Sequence, residues 1–438
     1  MPPLMLVVAV LGHLLLAAHA LRRGDWPLCA ALALLPLSLL TRRASARLVC
    51  AAALVVGAGW WADAAMELAR QRVAFGEPWT RLTLILSAVC LLSLSGGLWL
   101  LGARARAIFS RAQEAARTET AAFLLTGALL AVARAKAAVP VLLADRFLPG
   151  SGWLELLMLA AYAAWLAGRF LDPQGHRRLR PRVWALFSAV FFAQLALGLS
   201  GLTDLLMTGR LHLPVPALIA AGPIYRGGGL FMPILFGVAA LLLGPAWCSH
   251  LCYIGAWDDV ASRQGPTPPR QLSRRWIIGG RLATLVIACG GALILRLTGA
   301  PLALAVALAS ILGLIGVGVM LLASRRMGAM VHCTAFCPMG LVGNILGRLS
   351  PWRMRMRQDR CTRCGVCARA CRYGALTPLD IAAARPGLSC TLCGDCVCAC
   401  PHDALHYRLP GLPPATARAA FVTLAAVLHA VFLGVARI

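Results

Sequence analysis

Charge is scarce in this chain, and lysine scarcer still. Only 13% of its 438 residues are Asp, Glu, Lys or Arg, and a single one, Lys136, accounts for all the lysine. Ordinary soluble domains carry about 25% charged residues, so with 60% apolar residues and a mean hydropathy of +0.77 this chain is not one of them. Acidic residues number 16 against 42 basic ones, a net charge of +26 that invites a nucleic-acid reading. The arginines argue otherwise. They fall between apolar segments or around cysteine motifs rather than on one face of a soluble domain, so the partner they imply is membrane lipid and not nucleic acid. A basic stretch is also missing ahead of the first apolar run. Met1 to Ala20 ends in Ala18-His19-Ala20 like a signal-peptide cleavage site, yet without that basic start and with more apolar runs to follow it reads as an uncleaved first helix.

Apolar runs of about 18 residues read as membrane-spanning helices. Eleven candidates occur, at 3–20, 26–40, 48–66, 82–101, 121–143, 151–168, 183–203, 229–247, 277–295, 301–322 and 416–435. The second is short, and Arg134 and Lys136 imply that the fifth stops before 143. Beyond Glu155, Gln194 and Asp204 the spans show few ionisable groups, which argues against a transporter. The mid-span cysteines Cys29, Cys50, Cys90 and Cys289 read as packing residues, and His13, His19 and His429 lack the partner spacing of haem ligands. The stretch from Leu211 to Gly229, rich in proline and glycine, is either a re-entrant segment lining a cavity or a surface loop.

Arginine asymmetry sets the orientation. One set of alternate loops holds sixteen, among them Arg42, Arg104, Arg177 and Arg274; the other holds nine, among them Arg22, Arg70, Arg210 and Arg296. The richer set belongs in the cytoplasm, and by parity so does the segment after the tenth span.

Residues 351–410 break the pattern: charge and cysteine rise and the apolar runs stop. Cys361, Cys364, Cys367 and Cys371 recur 29 residues later as Cys390, Cys393, Cys396 and Cys400. Three thiolates at i, i+3 and i+6 wrap one cubane, while the fourth lies too far along the turn and reaches the neighbouring one. The spacing thus predicts two [4Fe-4S] clusters with crossed ligands, Cys361, Cys364, Cys367 and Cys400 on the first and Cys390, Cys393, Cys396 and Cys371 on the second. Such clusters belong to a reducing compartment, in agreement with the arginine count. Cys398 is surplus and reads as a buried or free thiol. Eight arginines from Arg348 to Arg372 either raise the cluster potentials or face anionic headgroups. The run resembles bacterial-type ferredoxins, with Arg372 where proline is usual.

Two further pairs, Cys248/Cys252 and Cys333/Cys337, sit at the ends of the eighth and tenth spans. One-turn spacing puts each pair on one side of a helix. The four either form a third redox site, holding a cluster or another metal, or pack two helix ends. With the tandem cysteine runs behind them, residues 183–410 resemble the membrane polyferredoxins of the NapH/NosR type, from which Tyr253 departs by standing where a proline is usual.

The fold expected is therefore an all-α polytopic membrane protein of about eleven spans carrying a small α+β two-cluster ferredoxin domain. Its parts would be N-terminal helices without an assigned role (1–175), the block with the C-x3-C pairs (176–350), the ferredoxin domain (351–410) and a last span (411–438). The resemblance implies a bacterial inner-membrane electron-transfer subunit working between a quinone or quinol and a partner redox protein or reductase complex. The alternative is a factor that supplies electrons for the maturation of another metalloenzyme.

Overall fold

A computed structural model describes residues 2–206 and 213–435. Arg210 and Leu211 lie outside them. The chain divides into two compact units, 1–168 and 169–438. It is mostly helical, and among the described residues ten helices are long and apolar enough to cross a membrane: Leu4–Arg22, Ala44–Ala74, Thr80–Leu101, Ala116–Lys136, Gly152–Leu171, Pro173–Leu199, Phe231–His250, Arg274–Leu297, Leu302–Met327 and Pro414–Val435.

The second of the eleven expected candidates stands apart from these ten as a shorter apolar segment, Trp26–Thr41. It is an α-helix over Trp26–Leu34 that tightens into a 3-10 helix over Leu35–Thr41, with a proline near the start of each. At about 1.5 and 2.0 Å per residue the two pieces together still reach about 27 Å. Their ends lie far apart in the first unit. Asp25 accepts the indole N–H of Trp153 at 2.9 Å, whereas Arg43 pairs with Glu119. Glu119 is in the first turn of Ala116–Lys136; at the other end of that helix Arg134 binds Asp145, which also takes the N–H of Gly152 beside Trp153. The short segment therefore runs the length of a full helix.

Helix Ala116–Lys136 does stop before 143, with Arg134 and Lys136 in its last turn. Arg134 lies over the Trp153 ring, 5.0 Å from its centroid. The seventh span begins at Pro173, ten residues before the expected 183, because the Asp172 carboxylate caps it by accepting the N–H groups of Gln174 and Gly175. That extension carries His176 and Arg180 into the helix, where both are fully buried.

In the second unit the segment after residue 212 packs inside rather than on an end. Val215 lies against Gly313 of Leu302–Met327, where even a Cβ would come within 2.8 Å of it. Leu218–Arg226 then runs outward until the Tyr225 hydroxyl donates to the Ala300 carbonyl at 3.0 Å. Non-helical backbone at membrane depth is tolerated where protein or a cavity surrounds it, and Pro216 and Ala217 are both buried.

The ferredoxin region is built on one two-stranded antiparallel sheet, Arg353–Met356 with Leu405–Arg408, in the register Arg353 to Arg408 and Met356 to Leu405. Its internal repeat is a repeat of backbone shape. Positive φ occurs at Arg363 and Leu392, at Gly365 and Gly394, and at Gly374 and Asp403, pairs that are each 29 residues apart. Gly365 and Gly394 both open one-turn helices, Val366–Ala370 and Asp395–Ala399.

Candidate iron–sulfur centres

The turns just described gather the thiols. Cys361, Cys364, Cys367 and Cys400 border one cavity of about 320 Å³. Cys371, Cys390, Cys393 and Cys396 border another of about 340 Å³. The near-equal volumes follow from the repeat. Within each run the fourth cysteine borders the cavity of the other run's first three. Among the described residues no group of three or more His, Cys, Asp or Glu side chains closes on a single metal ion. The thiols surround spaces, as the ligands of a cubane do.

The two cavities differ in surroundings. Cys364 is exposed, and the backbone N–H of Val366 beside it holds its thiol below the usual range. Around the other cavity burial dominates and pushes Cys390 up to about 12, with Cys371, Cys393 and Cys396 also raised. Such thiols stay protonated until a metal displaces the proton. Cys398 is buried but borders neither space; it lies near Arg418, whose charge opposes the effect of burial on its thiol.

A larger space of about 570 Å³ is bordered by all four remaining motif cysteines, Cys248, Cys252, Cys333 and Cys337. The helices bring the two pairs together from opposite directions in the sequence, 85 residues apart. Asp258, one turn past the first pair, accepts the backbone N–H of Cys333 at 2.9 Å. Burial raises Cys252 to about 12 and also raises Cys333 and Cys337. Tyr253, standing where proline was expected, stacks on Phe191 with ring centroids 3.9 Å apart.

The observation that tests whether this space suits an anionic group is Arg281. It is 1% exposed inside Arg274–Leu297, its Nε donates to the Ile277 carbonyl, and its Nη2 has no hydrogen-bond partner. Its guanidinium lies against Gly340, three residues past Cys337, and within electrostatic reach of Cys248, Cys333 and Cys337. An unpaired cation at membrane depth is costly, and thiolate-bound metal facing it would supply the missing charge. Arg281 is a buried ionisable group within a span that was not singled out beside Glu155, Gln194 and Asp204. The signal was there, an arginine in an apolar run, but averaging hydropathy over the helix absorbed it.

The inner ferredoxin cavity and the large one share a wall. Trp184 donates its indole N–H to the Cys252 carbonyl at 2.9 Å. It packs in one buried group with Met330, Tyr373 and Cys393, against which Cys333 and Cys371 also lie. The ferredoxin domain is held there by polar contacts that the sequence did not announce. His176 donates to the Cys393 carbonyl at 3.0 Å. Arg180 grips Asp395 with both arms at 3.2 and 2.9 Å and donates to the Ser249 carbonyl at 3.0 Å. Asp259, which is buried, and Arg263, which reaches the surface, complete a tetrad of charges. A unit charge pair about 4 Å apart gains about 4 kcal/mol at an effective permittivity of 20, too little to offset burying lone charges, so the tetrad stands because every member is paired. Arg372 donates to the carbonyls of both Ser262 and Gly328, a task proline could not perform.

Beside the large cavity lies a further one of about 370 Å³, apolar except for His332 and Thr284. His332, Pro216, Ile254 and Cys337 border both. Neither ring nitrogen of His332 makes a well-aligned hydrogen bond; burial lowers it to about 4, opposed only in part by the nearby Gly316 backbone, so the ring is neutral. It opens a π-helical turn, His332–Phe336, and faces a second one, Met320–Ser324, a geometry that recurs at functional sites.

Comparison with known proteins agrees with the cysteine geometry. Residues 226–277 and 306–357 match a family model described as a 4Fe-4S binding domain, and residues 355–377 match a second model described in the same words. The first two matches contain the C-x3-C pairs; the third contains the first ferredoxin run. No curated protein and no solved structure matches the chain. The chain is a membrane iron–sulfur protein with an electron-transfer role.

Proposed function

We propose that this protein carries electrons between a lipid-soluble quinone and a partner redox protein or reductase complex, as in membrane polyferredoxins of the NapH/NosR type. Cys361, Cys364, Cys367 and Cys400 would hold one [4Fe-4S] cluster and Cys371, Cys390, Cys393 and Cys396 a second. Cys248, Cys252, Cys333 and Cys337 would hold a third thiolate-bound metal centre with Arg281 as its counter-charge. Bound there, iron–sulfur clusters take up and release single electrons. The observation that carries the reading is the shared wall at Trp184, which puts Cys252 and Cys333 on one side and Cys371 and Cys393 on the other. The exposed Cys364 makes the first ferredoxin site the outlet to a partner, and the apolar cavity at His332 suits a quinone head group. The arginine split supports a bacterial inner-membrane location with the ferredoxin domain in the cytoplasm.

The test is anaerobic purification of wild type and of a variant with Cys248, Cys252, Cys333 and Cys337 all changed to Ser. Wild type should contain more iron than the about eight atoms of two clusters, and quinol should reduce its clusters. The variant should keep about eight and lose reduction by quinol but not by dithionite. Unchanged iron and unchanged quinol reduction in the variant would remove the third centre from the path.

A further inference from the structure

We propose that Arg180 and Asp395 are a tuning pair that sets the reduction potential of the inner ferredoxin centre apart from that of the outer one. The inference rests on the reading that Cys371, Cys390, Cys393 and Cys396 hold a [4Fe-4S] cluster. Asp395 lies between Cys393 and Cys396 and borders their cavity. Its repeat counterpart, 29 residues earlier, is Val366. Both loops nonetheless form the same left-handed glycine followed by the same one-turn helix. The loop therefore does not need a carboxylate at this position. What the carboxylate does is meet Arg180, which is 0% exposed and arrives from a membrane helix 215 residues earlier in the chain.

The electrostatics follow from charge signs. Reduction adds one negative charge to a cluster. A nearby buried cation favours the reduced form and a nearby buried anion disfavours it. Arg180 and Arg263 face Asp259 and Asp395 in the tetrad, with Arg372 next to it. The four tetrad charges cancel, so removing either member of the Arg180–Asp395 pair unmasks the other. Loss of Arg180 leaves an excess anion beside the inner centre; loss of Asp395 leaves an excess cation. Val366 carries no charge, so among the described residues the outer loop has no ion pair at the matching position. Arg180 also donates to the carbonyl of Ser249, between Cys248 and Cys252, so the same side chain touches the loops of the inner centre and of the C-x3-C site.

The experiment is an anaerobic EPR redox titration of the full-length purified protein, with iron content checked for each variant. In Arg180→Gln the reduced-to-oxidised ratio of the inner centre at a fixed potential should fall about tenfold; in Asp395→Asn it should rise by about as much. Arg180→Lys keeps the charge and should titrate near wild type, whereas a purely structural role would group it with Arg180→Gln. The outer centre should not move in any variant. Shifts of the same sign in Arg180→Gln and Asp395→Asn, or shifts shared by both centres, would overturn the pair. Should Arg180→Gln fail to accumulate, an Asp395→Asn inner centre with a wild-type or lowered potential does so alone. Absence of a second cluster signal in wild type would instead overturn the underlying reading.

Discussion

The guanidinium of Arg372 donates to the backbone carbonyl of Ser262 at 2.8 Å, and the same nitrogen reaches the carbonyl of Gly328 at 2.8 Å. Both acceptors end membrane-block elements, so the arginine that replaces the usual ferredoxin proline fastens the first cysteine run to the helices. The reverse contact accompanies it: the N–H of Met330 donates to the Arg372 carbonyl at 2.9 Å. Trp352 adds an indole bond to the Leu242 carbonyl, and Tyr407 stacks on Phe421 of the last span. The ferredoxin domain is thus a fixed part of the second unit and not a tethered module.

Restoring the proline should loosen it. Arg372→Pro removes two hydrogen bonds from a charged donor, a loss on the order of 3–6 kcal/mol. Hydrogen exchange across 351–410 should speed up in the variant while its iron content holds. Exchange at wild-type rates would show that the other contacts suffice.

Crossed ligation makes Cys371 the sharpest single probe. Cys371→Ser should damage the centre that contains Cys390, Cys393 and Cys396 and spare the one that contains its own sequence neighbours, Cys361, Cys364 and Cys367. EPR of the purified variant separates the two results. Survival of the inner signal with loss of the outer one would reverse the assignment.

Orientation can be read at Ala383, which is exposed on the turn after Pro378–Ala382. In intact cells Ala383→Cys should resist a membrane-impermeant thiol reagent and react once the membrane is opened. Labelling before permeabilisation would place the ferredoxin domain on the outer face.

Local chemistry was legible in the sequence where the ligands are close in sequence. The 29-residue repeat revealed two cysteine runs, and the positive φ angles at Gly365 and Gly394 show why glycine recurs there. One-turn spacing flagged Cys248/Cys252 and Cys333/Cys337, but not that they meet. Long-range polar contacts were not legible. Arg180 looked like one more loop arginine because hydropathy started its helix at 183, and nothing in the sequence links it to Asp395. The one hint was internal, since Asp395 breaks the repeat where Val366 stands. The span Trp26–Thr41 was misjudged in form for a related reason: Pro36 tightens the second half into a 3-10 helix that gains length without residues.

The quinone reading turns on His332. Its cavity offers an apolar enclosure with two polar side chains, His332 and Thr284. A neutral imidazole carries one donor and one acceptor, and neither ring nitrogen of His332 is held by a well-aligned hydrogen bond, with the Gly316 backbone the nearest polar neighbour. Thr284 already donates to the Gly280 carbonyl at 2.9 Å, which leaves its hydroxyl oxygen free to accept. A quinol hydroxyl would thus have an acceptor at Thr284, and a quinone carbonyl a donor at His332. Leaving a buried polar partner unmatched costs about 1–3 kcal/mol, or roughly five- to a hundredfold in affinity. His332→Leu should therefore weaken quinol-driven reduction by about fivefold or more, with dithionite-reduced spectra and iron content intact. Thr284→Val should weaken it less, because the threonine retains only an acceptor role. Both effects should appear as a higher quinol concentration for half-maximal reduction. If His332→Leu instead loses iron in step with activity, the histidine serves the neighbouring thiol centre and the quinone binds elsewhere.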